Sequence, residues 1–208
     1  MTLLVATHNA GKLREYRALL GDLSLELRGL GDVADAPLVA EHAGTYLGNA
    51  RLKAHALAAH CAAPALADDS GLEVDALGGA PGVRSARFAA DAMQRREPTD
   101  DRTNVAFLLG RLRDVPEDQR TARFRCVIVV ARPDGCELVA EGTCDGVITH
   151  AARGERGFGY DPVFLYPPLA RTFAELTPVE KDRISHRARA VEQLHGALCT
   201  FLCGHVSR

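Results

Sequence analysis

The chain has 208 residues, 47% of them hydrophobic, with a formal net charge of −2, enough to bury a full core as one domain or as two closely joined lobes. No basic stripe interleaved with aromatics stands out, which argues against a nucleic-acid footprint and leaves Arg95-Arg96 as a solvated loop. Cysteines at 61, 126, 136, 144, 199 and 203 lack C-x-x-C spacing, so no zinc ribbon or disulfide framework is expected and the thiols are read as reduced and mostly buried.

In chain order, Met1 to Ala6 are apolar but too short for a signal h-region, and no segment reaches the length of a membrane span. A cytoplasmic protein with no membrane partner is expected. Leu3 to Thr7 reads as a buried strand, followed by a turn at His8 to Gly11 and a helix from Lys12 to Leu20. Leu25 to Arg28 is a second strand, and Thr45, a plausible N-cap, opens an alanine-rich helix to Cys61. A short apolar run, Pro64 to Ala67, gives way to Asp68-Asp69-Ser70-Gly71, read as a turn. Leu72 to Leu77 follows as a strand, and Thr99 to Leu112 as a helix with Val105, Leu108, Leu109 and Leu112 on one face.

Arg123 to Ala131 and Glu137 to Gly142, joined by Pro133-Asp134-Gly135, predict a β-hairpin, and Val147 to Thr149 a further strand. Thr177-Pro178-x-Glu180 joins an N-cap, a Pro at the first helical position and a capping-box Glu, so a helix begins there. A last helix runs from about Arg187 to Cys203, and the charged loop from Phe88 to Asp101 carries no assignment. The alternation predicts an α/β fold.

A strand ending in Asp68-Asp69 leaves carboxylates at the carboxyl edge of a sheet, where open α/β folds bind ligands. Side chains alternate along a strand, so the two acids diverge: one can hold a hard cation such as Mg2+ while the other orients water or a ligand. The plain alternative is a capped turn. Thr7-His8-Asn9-Ala10-Gly11-Lys12 runs from a strand through a polar turn into a helix start, which presents N–H groups to an anion. Asn49 and Lys53 share a helical face, ordinarily a solvated one.

Gly157-Phe158-Gly159-Tyr160-Asp161-Pro162 brackets an aromatic with glycines and sets a second aromatic before an acid, which suits stacking on a nucleobase and accepting its donors. Lys181 and Ser185-His186-Arg187 supply further donors, for phosphate or for a carbonyl oxygen. Adjacent helical side chains diverge, which weakens a Ser-His nucleophile reading.

Taken together these residues resemble the inosine/xanthosine triphosphate pyrophosphatase family. The resemblance runs from Leu4 to about Leu194 and rests on Ala6-Thr7-x-Asn9-x-Gly11-Lys12, Asn49-Ala50-x-x-Lys53-Ala54, Ala67-Asp68-Asp69-Ser70-Gly71-Leu72, Pro81-Gly82-Val83-x-Ser85-Ala86-Arg87, the Gly157–Pro162 run and Ser185-His186-Arg187. It implies an elongated mixed β-sheet flanked by helices in two lobes, and hydrolysis of ITP, XTP and their deoxy forms to the monophosphate and pyrophosphate, with Mg2+, in a homodimer of one domain over residues 1–208, its site in the cleft between the lobes. By similarity Thr7 to Lys12 would bind the triphosphate, and Asn49, Lys53 and Ser70 would join the substrate site. Asp69 would be general base and metal ligand, with Glu41 and Asp68 as further metal carboxylates. Phe158 to Asp161, Lys181, Ser185, His186 and Arg187 would hold the base.

The chemistry agrees with that assignment. Lys12, Lys53 and Mg2+ would offset the triphosphate's charge against an attacking water, and donors from His186 and Arg187 would meet the 6-oxo group of inosine or xanthine, where adenine carries an amino group. One residue departs from the family: Gly48 stands where it usually carries Glu. In the first turn of a helix capped by Thr45 this removes a capping-box partner and costs on the order of 1 kcal/mol, and it puts metal affinity in doubt. The alternatives are a related pyrophosphatase for other modified bases and a catalytically silent nucleotide-binding protein.

Overall fold

A computed structural model describes residues 1–97 and 99–204. Its regular elements are β1 (Thr2–Val5), α1 (Ala10–Leu19), β2 (Glu26–Gly29), α2 (Tyr46–Cys61), β3 (Ala65–Val74), α3 (Phe88–Ala92), α4 (Asp101–Arg111), β4 (Thr121–Ala131), β5 (Glu137–Ile148), β6 (Phe164–Tyr166), β7 (Arg171–Thr172), α5 (Pro178–Lys181) and α6 (His186–Leu202). The strands form a seven-stranded sheet in the order β2-β1-β3-β4-β5-β6-β7. β1 is parallel to β2 and β3, whereas β6 is antiparallel to β5 and β7, so the sheet is mixed, flanked by helices, and of the α/β class that the sequence predicts. Among the described residues no helix is long and apolar enough to cross a membrane.

The chain divides into two compact units. The first holds Met1–Asp69, Cys126–Gly142 and the segment from His186 on; the second holds Ser70–Arg125 and Thr143–Ser185. In the first unit the period-2 alternation of strand side chains sorts the core into two layers. Leu3, Val5, Leu66, Ile128 and Val130 pack with Tyr16 and Leu20 of α1 and with Val191, Leu194 and Leu198 of α6. Leu4, Ala6, Ala65, Ala67, Val129 and Ala131 pack with Ala50, Ala54, Leu57 and Ala58 of α2. Thr45 caps α2, its hydroxyl oxygen accepting from Gly48 N at 3.1 Å, as its position predicts.

The second unit centres on Leu72, Val74, Val105, Leu108 and Leu112 with the rings of Phe124, Phe164 and Phe173. The three ring centroids lie 4.6 to 5.7 Å apart, in the range of favourable aromatic pairs. Arg120 is buried there and donates to four carbonyls: Leu112 O at 2.6 Å, Ile148 O at 2.8 Å, Thr149 O at 3.0 Å and Val115 O at 3.4 Å. Its charge thus closes the carboxyl end of α4, where orphan carbonyls welcome a cation.

Several expected boundaries move. Asp68-Asp69-Ser70-Gly71 is not a turn: β3 runs unbroken through it for 10 residues, because a strand between two neighbours satisfies its backbone in the ladder and overrides the turn propensity of Asp, Ser and Gly. The expected strand to Leu77 ends at Val74 instead. α1 opens at Ala10 rather than Lys12, since Asn9 is the cap, its Oδ1 accepting from Lys12 N at 3.1 Å. α4 likewise starts at Asp101, after Asp100 as cap. The segments at 137–142 and 147–149 are one strand, β5. The loop from Phe88 contains α3, and position 98 within it lies outside the described residues. None of the six cysteines is in a disulfide, but only Cys126 and Cys144 are buried: Cys136 follows a hairpin turn and Cys203 lies just past the end of α6, and both are exposed.

Candidate functional site

Strand alternation separates the two acids of β3. Asp68 shares the face of Leu66, the layer of α1 and α6, and Asp69 shares the face of Ala67, the layer of α2. Asp68 Oδ2 accepts from Lys12 Nζ at 2.8 Å, from Arg187 Nη2 at 3.3 Å and from Cys126 Sγ at 3.8 Å. Burial alone would raise the Asp68 carboxyl, but Lys12, Arg187 and Lys53 hold it well below the ordinary carboxylate value. Arg187 Nη1 also pairs with Glu15. Burial, followed by the charge of Asp68, pushes the Cys126 thiol up to about 12, so it is a neutral donor.

On the other face Asn49 Nδ2 donates to Asp69 Oδ2 at 2.8 Å, while Asn49 Oδ1 accepts from Ala43 N at 3.0 Å. Lys53 Nζ donates to Glu41 Oε1 at 2.6 Å and to the Asp68 carbonyl at 2.7 Å. The expected solvated face of α2 is therefore corrected: Asn49 is buried and both side chains turn toward β3. Asp69 differs from its neighbour in charge as well as direction. Burial lifts its carboxyl above the ordinary value, Glu41 adds to the rise, and Lys53 and Asn49 only partly oppose it. A buried acid short of positive charge is the group to which a cation or a proton is attractive.

The turn before α1 is built from short local bonds: Thr7 Oγ1 accepts from Asn9 N at 3.1 Å. His8, Asn9 and Ala10 are exposed and Gly11 is half-buried, so the amino end of α1 faces solvent while Lys12 reaches Asp68. Among the described residues no three His, Cys, Asp or Glu side chains are gathered to hold a metal ion. Asp69 and Glu41 have the donor chemistry for a hard cation; Asp68 would first have to release Lys12 or Arg187.

In the second unit, Ser70 continues β3 and is half-buried. The loop beyond β5 is held by carboxylates. Asp161 Oδ2 accepts from Phe158 N at 2.9 Å and from Lys181 Nζ at 2.7 Å, and Asp101 Oδ2 accepts from Gly159 N at 2.7 Å. Gly157 has φ +79, and a Cβ there would lie 2.0 Å from Asp161 Oδ2, so only glycine fits. Lys181 Nζ sits 4.8 Å from the Phe158 ring centroid. Tyr160 is buried in the unit's core, with its hydroxyl donating to Ser85 O at 2.9 Å, so of the two rings expected to stack, Phe158 is the half-exposed one. A cavity of about 730 Å3 opens beside this loop, lined by Asp101, Val105, Leu109, Arg156, Phe158 and Pro162 among others.

Ser185 is buried just after α5 in the second unit; His186 and Arg187 are buried at the start of α6 in the first. Gly142 of β5 admits that helix start closely, because a Cβ there would lie 2.0 Å from His186 O. The sequence reading missed three groups, Glu15, the Ala43 amide and Asp101, and quoted Ser85 within a motif without giving it a role. Of these only Glu15 leaves a local signal, three residues from Lys12 on the same helical face.

Solved proteins share this fold along nearly their whole length. The Ham1 protein of Staphylococcus aureus superposes with a TM-score of 0.82 at 36% identity, covering 97% of this chain and 100% of that one. A nucleoside-triphosphatase / dITP/XTP pyrophosphatase from Mycobacterium abscessus superposes with a TM-score of 0.73 at 42% identity, covering 93% of this chain and 98% of that one. A Geobacillus kaustophilus protein named dITP/XTP pyrophosphatase is 52% identical over 192 residues, 92% of this chain and 91% of its own. Residues 3–197 match the Ham1 family model, and the chain belongs to the Ham1 family.

Proposed function

We propose that the chain hydrolyses noncanonical purine nucleoside triphosphates, ITP, dITP, XTP and dXTP, to the monophosphate and pyrophosphate, removing them from the nucleotide pool. The observation that carries this reading is Asp69, a buried carboxylate of raised basicity fixed by Asn49 and set near Lys53. Relatives named for dITP and XTP support the substrate class.

In this reading the exposed turn from Thr7 to Gly11 takes phosphate oxygens at the amino end of α1, with Lys12 and Lys53 as counter-charges. Asp69 accepts the proton of the water that attacks phosphorus, and the pyrophosphate departs as the phosphoanhydride bond breaks. Glu41 and Asp69 would hold Mg2+, which when bound supplies positive charge to the phosphates; Asp68 serves by orienting Lys12. Phe158 stacks on the base, and Lys181, Ser185 and His186 supply donors around it, with Asp161 fixing the loop. The whole chain is then one catalytic domain, acting in the cytoplasm as the homodimer that the resemblance implies.

Purified protein incubated with Mg2+ and ITP, GTP, dATP or dUTP tests this reading. Inosine monophosphate and pyrophosphate from ITP are expected, with dATP and dUTP spared. Release of orthophosphate would overturn it, and no turnover of any substrate would favour a silent binder. Light scattering of the same preparation reads the dimer.

A further inference from the structure

We propose that Asp101 is a positioning residue for the base-side loop: from the first turn of α4 it holds the Gly159 amide and so sets where the Phe158 ring stands. The inference rests on the pyrophosphatase reading above, in which that ring stacks on the base, and deepens it.

α4 opens on two acids with separate tasks. Asp100 caps its own helix, Oδ1 accepting from Thr103 N at 2.7 Å. Asp101, the next residue, serves a distant segment instead, its Oδ2 accepting from Gly159 N at 2.7 Å, 58 residues along the chain. A carboxylate that accepts from a backbone amide makes a charge-assisted bond, about twice as strong as a neutral one. The charge of Asp101 is also felt inside the loop, where after burial it is the second cause that raises the Tyr160 phenol above its ordinary value.

The loop has need of such a tether. Phe158 stands between Gly157 at φ +79 and Gly159 at φ +61, residues with wide backbone freedom. A Cβ on Gly159 would meet nothing within 4 Å, so packing does not fix the backbone there. Beside it lies the cavity of about 730 Å3, walled on one side by Asp101, Val105 and Leu109 of α4 and on the other by the loop with Phe158 and Gly159. The Asp101–Gly159 bond joins the two walls. Phe158 N is held from within the loop by Asp161, whose own partner is Lys181 of α5, while Gly159 N is held from α4, which Leu108 anchors in the core of this unit. The amides on either side of the Phe158 Cα are thus tied to two different helices. Without Asp101 the loop samples further poses, and affinity for the base falls with the fraction that keeps the ring in place.

Steady-state kinetics of Asp101→Ala, Asp101→Asn and Leu112→Ala with ITP and XTP, beside hydrogen–deuterium exchange of residues 156–160 in the free protein, test the tether. Asp101→Ala should raise KM about 5-fold, the worth of one hydrogen bond, by the same factor for both nucleotides and with kcat held, and should speed exchange in the loop. Asp101→Asn keeps an acceptor oxygen without the charge, so its KM should lie between wild type and Asp101→Ala; it stands in if the latter does not fold. Leu112→Ala, which hollows the core of the same unit, should melt lower yet keep the wild-type KM. A wild-type KM in Asp101→Ala, or an equal rise in Leu112→Ala, would overturn the inference. A rise for one nucleotide alone would place Asp101 on the base itself and also overturn it. Wild type releasing no pyrophosphate from ITP would instead sink the underlying reading, and unchanged loop exchange in Asp101→Ala would still refute the tether by itself.

Discussion

Asp68 and Asp69 are neighbours in β3, yet Asp68 bonds Lys12 of α1 while Asp69 bonds Asn49 of α2, on the opposite face of the sheet. Their titration diverges with their direction: one carboxyl is held below its ordinary value by cations, the other is raised by burial. Consecutive acids therefore carry opposite stability signs.

For Asp69 the folded pKa lies above the unfolded one, so the folded chain binds this proton more tightly and loses stability as pH rises through that window. Asp69→Asn should lower kcat by about 10²- to 10⁴-fold, while the melting temperature in EDTA stays level or rises. Pyrophosphate release and calorimetry on one preparation check both halves. A variant that loses activity only by unfolding would contradict the assignment.

Asp68 runs the other way. Its folded pKa is depressed, so its contribution is present above the unfolded value and lost as pH falls toward the folded one. Asp68→Asn strands Lys12 and leaves Arg187 with Glu15 alone, and should destabilise by about 3–5 kcal/mol. Urea unfolding at neutral pH measures this, and the gap to wild type should narrow in acid.

How much of this was legible depended on range along the chain. Two caps were readable because their chemistry is local, whereas Asn9 and Asp100 were not: Thr45 and Thr177 stand where expected, the latter with its hydroxyl accepting from Glu180 N at 3.3 Å and Glu180 Oε2 accepting from Thr177 N at 2.8 Å. β6 and β7, of three and two residues, are too short for alternation to register. Asp-Asp-Ser-Gly misled because turn propensity is judged locally, whereas the ladder and the cations that override it come from distant segments. Glu15 stayed hidden for the same reason: its partner, Arg187, lies at the far end of the chain.

Gly48 proves to be more than a missing carboxylate. A Cβ there would lie 2.5 Å from Ala43 Cβ and 2.9 Å from Thr45 Oγ1, so the 41–44 segment approaches α2 because glycine is present. Gly48→Glu should push that segment away, weaken the Ala43–Asn49 bond and lower the melting temperature. Adding Ala43→Gly should recover most of the loss. If the single variant melts like wild type, the close approach is not what glycine provides.

Gly157→Ala should disturb the base-side loop although it adds one methyl, because that carbon would collide with Asp161, which holds Phe158 N and Lys181. We expect KM for ITP to rise with kcat less affected. Fluorescence binding of an ITP analogue provides a second readout, and unchanged affinity would remove the loop from base recognition.

Arg120 has a consequence for how the protein fails. Its four acceptors are main-chain carbonyls, which do not titrate, and although burial lowers its pKa somewhat, it starts from arginine's high value. The corner where it joins the end of α4 to the end of β5 therefore stays fastened as pH falls. Acid should therefore act on carboxylate-dependent contacts elsewhere in the chain before it reaches this corner.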